Sequence, residues 1–211
     1  IRSTKSTLKI TTAMKLVSAS KLNKAQQAIK GSRPFSEELD KTIRTVSALV
    51  KDYSHPYFEE NTENNHSLLL VISSDRGLCG GYNSQLAKKV KNFVDKTNEE
   101  VKVIFIGKKV KELLKDKVNI GKTITFQKGE ATFSEFKNVA NELASLFTSG
   151  EYGKIYVAYN VFRSAISFIP TVKQTLPICL ANDEKESLQK EFPFDFKYEP
   201  KPKEILDSLL P

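Results

Sequence analysis

Cysteine, histidine and long apolar runs are scarce in this chain of 211 residues, and each scarcity removes a class of function. The two cysteines, Cys79 and Cys179, stand 100 residues apart with no C-x-x-C between or beside them. That spacing excludes a zinc ribbon, a thioredoxin-type motif and a disulfide scaffold, and makes a reducing compartment the default. The two histidines, His55 and His66, have no H-x-x-x-H spacing, so a histidine metal site has nothing to be built from. No apolar stretch reaches the ~18–20 residues of a membrane-spanning helix. The N-terminus has no uninterrupted apolar core of ~7–15 residues, so no signal peptide is read there. The chain starts at Ile1 and not Met, from which the loss of a natural start is expected. The length suits one domain with an additional segment.

Acidic residues are missing from one region altogether. Residues 1–33 hold Arg2, Lys5, Lys9, Lys15, Lys21, Lys24, Lys30 and Arg33 and no Asp or Glu. Eight of the 33 basic residues therefore lie in that segment, and the other 25 are matched by all 25 acidic residues in 34–211. The net charge of +8 belongs to a basic arm on a neutral body. A nucleic-acid tail, a transit peptide, a helix facing an acidic protein partner and a solvated helix face all compete for such an arm. Wound at about 100° per residue, the arm gathers Ile10, Ala13, Met14, Val17, Leu22, Ala25, Ala28 and Ile29 on one broad side. Leu8, Leu16 and Ala19 fall on the other side, among Lys5, Lys9 and Lys30. Apolar residues on more than one face, alternating with small ones, favour a helix packed among partners. Six of the eight cations are Lys where a transit peptide favours Arg.

Beyond Gly31-Ser32-Arg33-Pro34 the helical spacing resumes at Phe35, Leu39, Ile43, Val46 and Val50, which predicts one helix of about fifty residues kinked at Pro34. Residues 52–66 read as a polar linker at a domain boundary. Leu68–Ile72 is a continuous apolar run of buried-strand type, followed by the loop Ser73–Gly81 and a helix carrying Leu86, Val90, Phe93 and Val94. Strand Val101–Ile106, a turn at Gly107, a short helix with Val110, Leu113 and Leu114, strand Ile124–Phe126 and a helix with Phe136, Val139, Ala140, Leu143 and Phe147 continue the alternation. This predicts an α/β fold with a mostly parallel sheet covered on both faces. Ile155–Phe162 and Ala165–Val172, separated by Arg163-Ser164, form an antiparallel hairpin, and Pro170 places its second strand at an edge. The expected segments are a long helix over 1–52, an α/β domain over 67–174, an irregular connection over 175–201 and the beginning of a helix over 202–211.

The loop Gly77-Leu78-Cys79-Gly80-Gly81 follows the first strand, where doubly wound folds bind phosphates. Its G-x-x-G-G spacing matches neither dinucleotide nor P-loop patterns, and no Lys follows to reach a phosphate. Cys79, beside Arg76 and a helix start, has the setting of a reactive thiol but no base to activate it. Glu37-Glu38, Glu59-Glu60 and Glu99-Glu100 read as solvated surface, since sequence neighbours do not face each other. Tyr152, Tyr156, Tyr159 and Phe162 read as packing residues in preference to a base-stacking platform. A nucleotide-binding enzyme and a nucleic-acid-binding domain stay open as alternatives.

Lys9-Ile10-Thr11-Thr12-Ala13-Met14-Lys15-Leu16-Val17-Ser18-Ala19-Ser20-Lys21-Leu22 resembles the N-terminal helix of the gamma subunits of F-type ATP synthases. Ser74-Asp75-Arg76-Gly77-Leu78-Cys79-Gly80-Gly81-Tyr82-Asn83 is similar to the loop after that family's first sheet strand, in its bacterial form. Tyr198-Glu199-Pro200 with Ile205-Leu206 looks like the segment before its C-terminal helix. The resemblance implies a long N-terminal coiled-coil helix, a Rossmann-like α/β domain and a rotor role that couples c-ring rotation to ATP synthesis or hydrolysis. It implies no catalytic residue, cofactor or metal of the subunit's own. The partners it implies are the alpha and beta subunits of the catalytic ring, the epsilon subunit and the c-ring, with no nucleic acid and no small-molecule substrate. The residues expected at these interfaces are Ile10, Met14, Lys15, Val17, Lys21, Leu22, Arg76 and Cys79, with lysines of the helix and Arg76 facing acidic levers on beta. The implied location is peripheral, on the cytoplasmic face of a bacterial inner membrane or the matrix side of a mitochondrial one. The family's C-terminal helix is expected to continue past Leu210, which would make this chain a truncated form.

Overall fold

The computed structural model of the chain describes residues 2–50, 55–126, 131–192, 199 and 201–210. The expected end of the long helix at residue 52, and Tyr198 and Pro200 of the third resembling segment, lie outside the described residues. In chain order the elements are α1 (Arg2–Leu49), a 3-10 turn (Pro56–Phe58), β1 (His66–Ile72), α2 (Tyr82–Lys96), β2 (Glu100–Ile106), α3 (Lys109–Leu114), β3 (Asn119–Ile124), α4 (Phe133–Thr148), β4 (Lys154–Ser164), β5 (Ser167–Leu176), α5 (Asn182–Glu191) and α6 (Pro202–Leu209). They form two units, one of α1 with α5 and α6, the other of the sheet with α2, α3 and α4.

In the first unit α1 runs unbroken through Pro34, whose ring nitrogen leaves a turn of the helix without its usual donor. Several of its hydroxyl residues bond back into their own helix: Thr7 to the Ser3 carbonyl at 3.1 Å, Thr11 to Thr7 and Thr12 to Leu8 at 2.9 Å each. A polar side chain satisfied in this way can face an apolar partner without leaving a donor stranded. The packing of α1 within the unit is concentrated in its last turns. Thr45, Val46 and Ala48 are buried there, and Leu206 of α6 is fully buried. Helix α5 buries none of its residues and is held by polar contacts: Arg44 donates to Glu184 at 3.3 Å, and Gln189 donates to the Ala48 carbonyl at 3.1 Å. The 175–201 connection, expected to be irregular, therefore contains a helix. Asn182–Glu191 has no apolar stripe, so periodicity is silent there. Its Lys, Glu and Gln content, with Asp183 and Glu184 at the positive end of the helix dipole, favours the helix all the same.

The second unit holds a five-stranded sheet in the order β3-β2-β1-β4-β5, parallel except for the β4–β5 pair. Alternate residues of β1 feed two cores. Leu69 and Val71 pack with Leu86 and Val90 of α2 and with Val110 and Leu114 of α3. Leu68 and Leu70 pack with Val139, Leu143 and Phe147 of α4. Helices thus cover both faces, as the unbroken apolar runs predict. Ala140, expected on the inner face of α4, is exposed. The third strand is Asn119–Ile124 and not Ile124–Phe126. It is an edge strand with Asn, Gly, Lys and Thr among its six residues, so it lacks the apolar signature of a strand paired on both sides. The hairpin turn falls at Ala165-Ile166, two residues after the expected Arg163-Ser164, with Ser164 opposite Ser167. Nothing in Ala165-Ile166 carries the Gly, Asn or Asp chemistry that usually marks such a turn.

Candidate partner interface

Residues 2–38 of α1 are exposed apart from Leu22 and Gln26. Ile10, Met14 and Val17 share a side, and each keeps more than half its surface open to solvent, Met14 at 60%. Lys15 and Lys21 are exposed beside them, and Leu22 is half-buried. Leu8 and Leu16, on the other side of the helix, are as open as the first group. Large apolar side chains therefore face solvent around much of the circumference, among lysines and with no carboxylate before Glu37. A solvated helix concentrates its apolar residues on one stripe, so this distribution fits a helix enclosed by other chains.

In the sheet unit, the loop after β1 is built around a buried amide. Asn83, in the first turn of α2, donates to the Ser74 hydroxyl at 2.8 Å and to the Cys79 thiol at 3.0 Å. The Ser74 hydroxyl in turn donates to the Arg76 carbonyl at 2.7 Å. Asn83 thereby ties both ends of the loop to the helix start. Sequence reading missed this role, although an Asn two residues after a glycine pair is the available signal. The loop projects Arg76 and Cys79 into solvent. Between them Leu78 is fully exposed and adopts φ of 60°, a left-handed conformation that an apolar residue seldom takes. The loop thus presents Asp75, Arg76 and the apolar tip of Leu78 to solvent. Arg76 and Cys79 share this loop, whereas the other six expected interface residues lie on α1.

At the other end of the sheet, Glu99 is only 13% exposed. It accepts from Lys154 at 2.6 Å, from Ser67 at 2.6 Å and from the Tyr156 hydroxyl at 3.2 Å. The reading of Glu99-Glu100 as solvated surface is corrected for Glu99, because the side chains that meet it come from β1 and β4, far away in sequence. Burial works to raise its pKa, and the Lys154 and Ser67 bonds together with the lysine charge outweigh that, so the carboxyl sits below its usual value. Burial, then the Glu99 charge, pushes the Tyr156 phenol well above its usual range. Doubly wound folds bind ligands at the carboxyl ends of their strands, and this cluster pins the amino ends of β1 and β4 to the entry of β2, so its work is structural. With the folded pKa lowered, the stabilisation is complete above the unfolded carboxylate value and is lost as pH falls through the folded one. Glu99→Gln is expected to cost about 1–2 kcal/mol near neutral pH, and the difference from the parent chain should shrink as pH falls from neutral through the lowered carboxyl value. Urea midpoints across that range check it. A constant difference would assign the loss to packing and not to charge.

Among the described residues, no group of His, Cys, Asp and Glu is arranged to hold a metal, and no helix is long and apolar enough to cross a membrane. A family model described as ATP synthase matches residues 1–211. The chain is 36% identical over 213 residues to the ATP synthase gamma chain of Christiangramia forsetii, covering all of this chain and 73% of that one. The Flavobacterium johnsoniae gamma chain gives 36% over 214 residues with the same coverage. Among solved structures, the central stalk and c-ring assembly of the Tetrahymena thermophila mitochondrial ATP synthase contains a chain that matches with a TM-score of 0.62 at 21% identity. That match covers 94% of this chain and 84% of the other, a likeness of fold. On the match along its whole length and the identity it shares with these relatives, the chain belongs to the ATP synthase gamma chain family.

Proposed function

We propose that the chain, as a central-stalk subunit of an F-type ATP synthase, is a rotor with no catalytic residue of its own, coupling c-ring rotation to ATP synthesis or hydrolysis in the alpha/beta ring. The observation that carries this reading is α1. It is free of acidic residues over 1–33, apolar on more than one face and exposed on those faces. In the rotor reading α1 forms a coiled coil inside the ring, with Ile10, Met14, Val17 and Leu22 against neighbouring helices and Lys15 and Lys21 toward acidic levers of beta. The sheet unit rests on the epsilon subunit and the c-ring, so the chain is peripheral to the membrane, on the cytoplasmic face in a bacterium or the matrix side in a mitochondrion. Needing neither cofactor nor metal, it works by geometry. The domain division that goes with this reading gives residues 1–52 and the helix beginning at 202 to the stalk, and residues 67–174 to the foot.

The loop at Arg76 and Cys79 tests the reading, because it is exposed and its removal from contact leaves the fold alone. An exposed ion pair contributes only ~0–1 kcal/mol, which corresponds to a factor of up to about five in a rate. In a reassembled synthase that carries this chain, Arg76→Glu is expected to slow ATP-driven rotation by about two- to fivefold, with the melting midpoint of the isolated chain unchanged. If the isolated chain instead bound ATP or ADP at micromolar concentration and Arg76→Glu abolished it, a nucleotide-binding enzyme would replace the rotor.

A further inference from the structure

The sheet unit carries a basic, apolar-floored groove that the rotor reading does not use. It has a volume of about 610 Å³ and is lined by Lys108, Lys111, Glu112, Lys115, Asp116, Val118, Ile120 and Thr123. Its floor exists because α3 has six residues and stops at Leu114, too short to cover the neighbouring edge strand β3. Val118 and Ile120 reach the core with part of their surface left over. Thr123 is there because of a bulge. Val103 pairs with Ile120 and Phe105 with Thr123, so three steps along β3 answer two along β2. Without the extra residue Thr123 would share the opposite face with α4. With it, Thr123 joins Ile120 on the α3 side, the kind of re-aiming for which bulges recur near functional sites. Its hydroxyl oxygen is buried and has no hydrogen-bond partner among the described residues, a costly state for a polar group that nothing meets.

Charge lines the same groove, three lysines against Glu112 and Asp116. Glu112 is taken by Lys109 at 2.7 Å, and among the described residues no ion pair holds Lys108, Lys111 or Lys115. Lysines near an edge strand also guard against strand pairing, but that role requires neither a bulge nor a buried hydroxyl. From these features we propose that the groove binds one small amphipathic anion, an apolar body on Val118 and Ile120 with a single carboxylate or phosphate head among the lysines and Thr123. The volume suits one such ligand, and the lysine stems extend the apolar wall while their ammonium groups meet the head.

The test uses the full chain and decanoate as the probe, followed by the methyl signals of Val118 and Ile120 in NMR. Decanoate should shift both methyl sets saturably, 1-decanol should bind about tenfold more weakly, and inorganic phosphate should leave the methyls in place. Lys111→Gln with Lys115→Gln should weaken decanoate about tenfold at low salt. Thr123→Val, which keeps the branched shape, should weaken it about fivefold. No saturation, equal binding of decanol, binding unchanged in both variants, or methyl shifts from phosphate alone would each overturn the proposal. Vesicles of anionic phospholipid that shift these signals when monomeric decanoate does not would do the same and point to a membrane contact.

Discussion

Gly107→Ala is expected to destabilise the sheet unit by about 3–5 kcal/mol, against roughly 1–2 for the same change at Gly150. Both glycines have positive φ, 86° and 76°, so alanine is strained at either. They differ in what surrounds them. A Cβ at Gly150 meets nothing within 4 Å, whereas one at Gly107 would overlap the Ser73 carbonyl oxygen, lying 2.7 Å from its carbon and 2.8 Å from the Ser73 Oγ. Ser73 cannot withdraw. Its amide and hydroxyl both donate to the Ile106 carbonyl, at 2.8 and 3.0 Å, and the Ser74 carbonyl accepts from Lys109 at 3.1 Å. The turn from β2 into α3 is clamped to the end of β1, and that end supplies Ser74 to the Asn83-centred loop. Since a domain of this size has only ~5–15 kcal/mol in total, Gly107→Ala should lower the urea midpoint steeply and also loosen the loop at Arg76. Equal losses at the two glycines would mean that backbone conformation alone sets the cost.

Much of this fold was legible in the sequence where residues are buried on both sides. Leu68–Ile72 and Val101–Ile106 announce central strands because each of their faces meets a helix, and α2 and α4 show their inner faces at helical spacing. What failed to show has physical reasons. Strand β3 pairs on one side only, so it tolerates Gly121 and Lys122 and loses the apolar signature. Helix α5 is attached through Arg44 and the Ala48 carbonyl, and polar attachment leaves no period. Glu99 is buried by residues 32 and 55 positions away, a separation that local patterns do not register. The neutral count over 34–211 likewise averaged away a local excess, since Lys102, Lys108, Lys109, Lys111, Lys115, Lys117 and Lys122 are answered within 102–122 only by Glu112 and Asp116. The expected interface residues fared differently by element. Those on α1 follow from composition and period, while Arg76 and Cys79 rest on the loop motif, whose organising residue, Asn83, became visible only in three dimensions.

Placing aspartate at both Met14 and Val17 is expected to abolish incorporation of the chain into an alpha/beta ring, by at least about a hundredfold, without moving the midpoint of the sheet unit. Fully burying such side chains is worth about 1.5–3 kcal/mol each, and a carboxylate buried without a partner adds several more against assembly. The isolated chain has no such cost, since both side chains are already exposed there. The count of enclosed faces follows from a second variant. If α1 pairs with one helix along the side of Ile10, Met14 and Val17, Leu16→Asp on the opposite, lysine-rich side should assemble about as well as the parent. If α1 is an axle enclosed all round, Leu16→Asp should fail to nearly the same extent, because Leu16 and Leu8 are then buried too. The apolar residues on both sides and the absence of any acid before Glu37 favour the second outcome. Co-elution with alpha and beta subunits in size-exclusion chromatography measures it. A double aspartate variant that assembled like the parent would return α1 to a solvated face and remove the observation on which the rotor reading stands.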